Sequence, residues 1–153
     1  MTPEPREPAE NGITMYDTIL VTLDGTPTDR AIIEHVKQLA KLAHSRLVLL
    51  HVADGWAART YGRDAVSAEI AEDTAYLERV RVEFESAGIP AQAELAYGEP
   101  AKEIIEWVQK KGCDLVAMST HGHRFLADVF LGTTASRVQH SISAPVLLLR
   151  AKG

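Results

Sequence analysis

Residues 46–52, RLVLLHV, form an apolar run too continuous to leave one side wet, and such runs suit parallel strands covered on both faces. Three more short apolar runs share this character: TILVTL (Thr18–Leu23), DLVAMS (Asp114–Ser119) and PVLLL (Pro145–Leu149). AQAELAY (Ala91–Tyr97) instead alternates and is less apolar, as an edge strand would be. Between the runs the apolar spacing changes to that of a helix. Ile32, Val36, Leu39 and Ala43 share one face behind the start signal Thr26-Pro27-Thr28-Asp29. From Ala65, the residues Val66, Ile70, Leu77, Val80 and Phe84 line a second helix that Gly88 stops. Pro100 opens a third, with Ile104, Ile105 and Val108 inward and Gly112 at its end; a fourth spans about Thr133 to Ile142. Strands alternating with helices predict an α/β domain: an open, doubly wound parallel sheet of five strands with right-handed crossovers.

Ligands of such sheets bind at the carboxyl ends of the strands, where strand order reverses. The segments that can line that place are Asp24-Gly25, Val52–Trp56, Tyr97-Gly98 and the loop from Ser119. A length of 153 residues fits one domain, and 46% hydrophobic with 24% charged residues is ordinary for a soluble globule. The net charge of −5, with no concentrated basic stripe, disfavours a nucleic-acid partner. The lone Cys113 excludes an intrachain disulfide and suits a reducing cytoplasm. No apolar run approaches the roughly 20 residues that cross a bilayer, and the amino terminus lacks a signal-peptide core, so neither membrane insertion nor secretion by that route is expected. Residues 1–14, with Pro3, Pro5 and Pro8 among acids, read as a disordered tail, and residues 15–153 as the domain; Met15 is an alternative translation start.

STHGHRFLADVFLGTT (119–134) is the most informative loop. Gly122 lies just past the fourth strand, where glycine lets a ligand approach backbone N–H groups. Gly132-Thr133-Thr134 begins a helix whose unpaired N–H groups and dipole favour an anion, and His123 and Arg124 add positive charge. The alternative is that Gly122 ends a strand, Thr133 caps a helix, and the apolar residues between them fill a groove. Asp24 likewise has two readings: an acceptor for a base or ribose, or the cap of the turn from Gly25 to Thr28. Trp56 and Tyr61 either cover a bound base or pack on their own loop; Trp107 reads as packing or partner surface. His121 and His123 lack further ligands at matching spacing, so no dedicated metal site is expected. Cys113 reads as a packing residue. No nucleophile–base pair or dicarboxylate stands out as catalytic.

On these residues the chain resembles the universal stress protein family over essentially all of 15–150. The segments ILVTLDGT, LVLLHVAD, GEPAKEIIEWVQKKGCDLVAMSTHG, LGTT and APVLLLR carry the resemblance. It implies the strand order 3-2-1-4-5 and, from the family pattern G-x2-G-x9-G-[S/T], an ATP site. Gly122, nine intervening residues and Gly132-Thr133 fit the later part of that pattern; Ser119 stands at its first glycine. A Cβ there costs roughly 1–2 kcal/mol if that backbone must take positive φ. By the resemblance, Asp24 and the backbone of Leu23 and Val52 hold the adenine end, and Thr22 stands where the family commonly has proline. Ser119, His121 and Gly122 sit by the ribose and phosphates, near Arg124, and Gly132, Thr133 and Thr134 cradle the phosphate tail, with Mg2+ arriving on the nucleotide. The implied function is a cytoplasmic, ATP-binding stress-response regulator acting through nucleotide-dependent conformation, dimeric through the last strand, Pro145 to Leu149. The alternatives are a nucleotide-free interaction module of the same fold, or a slow ATPase.

Overall fold

The structure is a computed structural model that describes residues 15–53, 63–119 and 133–150. Its elements are β1 (Thr18–Thr22), α1 (Asp29–Ala43), β2 (Arg46–Ala53), α2 (Arg63–Ser86), β3 (Ala91–Tyr97), α3 (Pro100–Lys111), β4 (Leu115–Ser119), α4 (Thr133–Ser141) and β5 (Val146–Leu149). All four strand pairings are parallel, in the order β3-β2-β1-β4-β5, as the sequence implied. β3 is an edge strand, in keeping with its alternation.

Because side chains alternate across a strand, each buried run supplies two cores. Ile19, Val21, Leu47, Leu49, Leu115 and Ala117 face one layer with Ile32, Ile33, Val36 and Ala40 of α1 and Leu77, Val80 and Phe84 of α2. Leu20, Val48, Leu50, Val116 and Met118 face the other, with Ala101, Ile104 and Val108 of α3 and Ala135 and Val138 of α4. Phe84 is fully buried, so truncation to alanine costs about 3–5 kcal/mol.

The helices differ from expectation in instructive ways. On α1 the buried stripe is Ile32, Ile33, Val36 and Ala40, and Leu39 packs at its margin. α2 is already helical at Arg63, and Ile70, expected inward, is exposed. Ile70 lies two helical turns before Leu77 on the same face, so its periodicity is sound. A 24-residue helix is about 36 Å long, whereas eight-residue β2 reaches only about 26 Å, so roughly the first two turns of α2 outrun the sheet. α3 ends as expected on Gly112, whose φ of +62° is a left-handed cap that lets its N–H reach the carbonyls of Val108 and Gln109. β1 stops at Thr22, β4 starts at Leu115, β5 starts at Val146 and α4 stops at Ser141, each one residue inside the expected bounds, while β2 runs one residue further, to Ala53.

At the amino ends of the strands the polar groups are tied together. The Asp114 carboxylate accepts the N–H groups of Asp17 (2.8 Å) and Thr18 (3.0 Å), and Ser45 Oγ donates to the Tyr16 carbonyl. Cys113 beside Asp114 is buried, and burial pushes its thiol up to about 11.

Candidate functional site

The chain leaves β1 toward β2 through α1 and returns past β1 to β4 through α3, so strand order reverses between β1 and β4. Val21 pairs with Leu49 and Ala117; two residues further along each strand stand Leu23, His51 and Ser119, level at the carboxyl edge. The crevice expected to bind a ligand therefore opens over these three positions.

Leu23 is fixed from both sides. Its N–H donates to the Leu50 carbonyl at 2.8 Å, and its own carbonyl lies 2.8 Å from Nδ1 of His51. The turn that follows is organised by Asp29, which is buried at the start of α1. Its carboxylate accepts the Asp24 N–H (3.0 Å), the Gly25 N–H (2.8 Å) and the phenol O–H of Tyr76 from α2 (2.5 Å). Burial holds the Asp29 carboxyl above its ordinary range, against the pull of those three donors. Burial likewise raises the Tyr76 phenol, and its hydrogen bond to Asp29 adds to the effect. The sequence assigned Asp29 to the helix dipole; the structure gives it the larger task of shaping the β1–α1 turn. Gly25 takes a φ of +82°, and a Cβ there would come within 3.8 Å of the His51 ring.

Asp24 is half-buried, and its Oδ2 accepts the Thr26 hydroxyl at 3.2 Å, which in turn lies 2.6 Å from the Thr28 hydroxyl. This is the turn-capping arrangement, at the carboxyl edge of the sheet. Thr28 stands at the N-cap of α1 without a side-chain capping bond, because the Asp29 carboxylate and the Thr26 carbonyl organise this turn instead.

Ser119 is the last residue of β4. Among the described residues the only non-glycine positions with positive φ are Tyr16 and His44, so Ser119 carries no backbone strain. Its Oγ is buried and has no hydrogen-bond partner among the described residues. An unpaired buried hydroxyl costs about 1–3 kcal/mol, which a ligand hydroxyl or phosphate oxygen reaching it would recover.

The structure thus brings Thr22, Leu23, Asp24, Val52 and Ser119 to one edge of the sheet, Thr22 and Val52 being half-buried. Thr133 and Thr134 open α4, the former exposed and the latter half-buried, where the first N–H groups of a helix lack helical acceptors. His121, Gly122, His123, Arg124 and Gly132 lie outside the described residues, as do Trp56 and Tyr61. Two residues that the sequence reading passed over belong to this edge: His51, buried beneath Leu23, and Asp73 of α2, 3.5 Å from it. A histidine inside an apolar parallel strand was the available signal. No comparable mark distinguishes Asp73 or Tyr76. Among the described residues, no group of three or more His, Cys, Asp or Glu is placed to hold a metal, and no helix is long and apolar enough to cross a membrane.

Comparison with known proteins gives this geometry a family. Universal stress protein MJ0531 of Methanocaldococcus jannaschii is 29% identical over 147 residues, covering 92% of this chain and 85% of its own. The solved structure of MJ0577, from the same organism, superposes with a TM-score of 0.77 at 26% identity, covering 91% of this chain and 99% of that one. A universal stress protein from Archaeoglobus fulgidus, solved in complex with dAMP, shares the fold at 18% identity with a TM-score of 0.65, covering 88% and 98% of the two chains. The model of the universal stress protein family matches residues 15–150, which span all of the described structure, and the chain belongs to that family.

Proposed function

We propose that this universal stress protein is a regulator that binds ATP at the carboxyl edge of β1, β2 and β4 and changes a partner-facing surface when it does so. The observation that carries the reading is Ser119: a buried, unpartnered hydroxyl at the switch point, unstrained in its strand. It supplies one donor and two acceptor sites where the family pattern has its first glycine. Asp24 offers a carboxylate to the ribose or base, and Val52 its backbone. The start of α4 at Thr133 and Thr134 offers N–H groups and hydroxyls to the phosphates, completed by Gly122, Arg124 and Gly132. Leu23 enters this arrangement mainly as scaffold, since its N–H is already used and its carbonyl keeps one lone pair. The dAMP complex of the Archaeoglobus protein supports an adenine nucleotide as the ligand class. Mg2+ then arrives with the phosphates.

Homodimerisation through β5 belongs to the same proposal. This edge strand keeps Leu148 exposed and Val146, Leu147 and Leu149 half-buried, an apolar margin that pairs only with β4 among the described residues.

The test is to denature freshly purified protein, identify the released small molecules, and titrate the emptied, refolded chain with ATP by calorimetry. Stoichiometric adenine nucleotide, or calorimetric binding that weakens in Thr133→Ala, is the expected result. Hydrogen exchange in peptides spanning 119–134 should slow on ATP addition. No released nucleotide together with no binding heat overturns the ATP reading and leaves a nucleotide-free interaction module.

A further inference from the structure

His51 is 3% exposed, in the sixth position of β2. Its Nδ1 lies 2.8 Å from the Leu23 carbonyl oxygen, and since a carbonyl only accepts, Nδ1 carries a hydrogen. The other ring nitrogen, Nε2, faces Asp73 Oδ2 across 3.5 Å, with the two side chains 4% and 12% exposed. Among the described residues, neither Nε2 nor Oδ2 has a hydrogen-bond partner. A neutral imidazole and an ionised carboxylate would here present lone pair to lone pair in a place closed to water, a costly arrangement. One additional proton turns the same contact into a charge-assisted bond.

Around the pair, the β1–α1 turn, α2 and β3 carry acidic groups. Asp24 and Asp29 occupy the turn after Leu23, and Glu69 precedes Asp73 by one turn of α2. Tyr97, at the end of β3, is held above the ordinary phenol range by burial, with the charges of Asp73 and Glu69 adding to the effect.

We infer that His51 and Asp73 share one buried proton in the folded chain, and that this proton docks the first half of α2 onto the carboxyl edge of β1 and β2. His51 thereby becomes a positioning residue: one nitrogen holds α2 through Asp73, and the other holds the Leu23 carbonyl that sets the path of Asp24. The link from this pair to nucleotide affinity rests on the ATP reading above; the shared proton itself does not.

The experiment is heteronuclear NMR of the full chain at neutral pH, reading the imidazole 15N shifts of His51 and the carboxyl 13C shift of Asp73. Either a doubly protonated ring beside an ionised carboxylate, or a singly protonated ring beside a protonated carboxyl, is the expected result. An unprotonated Nε2 beside an ionised Asp73 overturns the inference. In Asp73→Asn the amide N–H donates to Nε2, so the ring should be found singly protonated, on Nδ1. A ring that stays doubly protonated in this variant also overturns it. Asp73→Ala should speed amide exchange through residues 70–79 by about tenfold, the loss of one charge-assisted hydrogen bond; unchanged exchange there counts against the docking role. If the native chain binds no ATP, the NMR signature still stands. If it binds ATP without that signature, only the shared proton fails.

Discussion

Tyr76→Phe removes a single hydroxyl, and the structure specifies what should follow. That hydroxyl donates to Asp29 Oδ2 at 2.5 Å, and the same carboxylate holds the N–H groups of Asp24 and Gly25. A hydrogen bond to a charged group contributes about 1.5–3 kcal/mol, and half-buried Tyr76 belongs at the low end, near 1.5 kcal/mol. Asp29→Ala loses all three donors' acceptor but also relieves the burial of a carboxylate, so about 3 kcal/mol is expected. In the double variant the tyrosine bond is already gone, so the cycle should return a coupling of about 1.5 kcal/mol. Urea unfolding of the four proteins measures it, provided the m-values agree. The sign with pH follows from the carboxyl. Burial raises Asp29 and the Tyr76 hydrogen bond pulls it back, so Tyr76→Phe raises it further. A carboxyl raised in the folded state favours folding below its unfolded pKa, and that contribution is lost as pH rises through the folded value. The cost of Tyr76→Phe should therefore grow from acid toward neutral pH. Coupling below about 0.5 kcal/mol, or a cost that shrinks as pH rises, would refute this account of the turn.

Three further outcomes are expected. Ser119→Ala should leave the nucleotide-free chain as stable as before or slightly more so, because it deletes an unsatisfied buried hydroxyl. The same change should weaken ATP binding about tenfold by calorimetry; a stability loss without an affinity change would contradict the proposed site. Cys113, its thiol pushed up to about 11 by burial, should hold about a hundredfold less thiolate at neutral pH than an ordinary cysteine, so alkylation followed by mass spectrometry should proceed only with unfolding. Leu148→Lys, on the exposed margin of β5, should turn a dimer into a monomer by sedimentation at tens of micromolar, and an unchanged mass would remove β5 from the interface.

The fold was legible because its strongest signals are local. An unbroken apolar run such as Leu47–Leu50 needs cover on both faces, and the alternation of Ala91–Tyr97 needs a half-wet edge; both follow from periodicity alone. Periodicity does not say where a helix outruns its sheet, which is why Ile70 was placed inward. Asp24 was legible as a site candidate because it follows the first strand at the switch point, and Ser119 because it stands at the first glycine of the family pattern. Asp29's pairing with Tyr76 bridges 47 residues and His51's with Asp73 joins a strand to a helix, so nothing in the local sequence of either partner announces the other.

The two rims of the sheet differ in how fully their buried side-chain polar atoms are satisfied. Along the amino rim, Asp114 and Ser45 stitch the chain to itself, each side chain meeting a backbone group of the strand next door. Along the opposite rim stand all three buried polar atoms without a partner among the described residues: His51 Nε2, Asp73 Oδ2 and Ser119 Oγ. By the two proposals above, the first two of these atoms share a proton and the third is left for a ligand. Changes around Asp114 should register in the melting curve and spare recognition, while changes around Ser119 can retune recognition without endangering the fold.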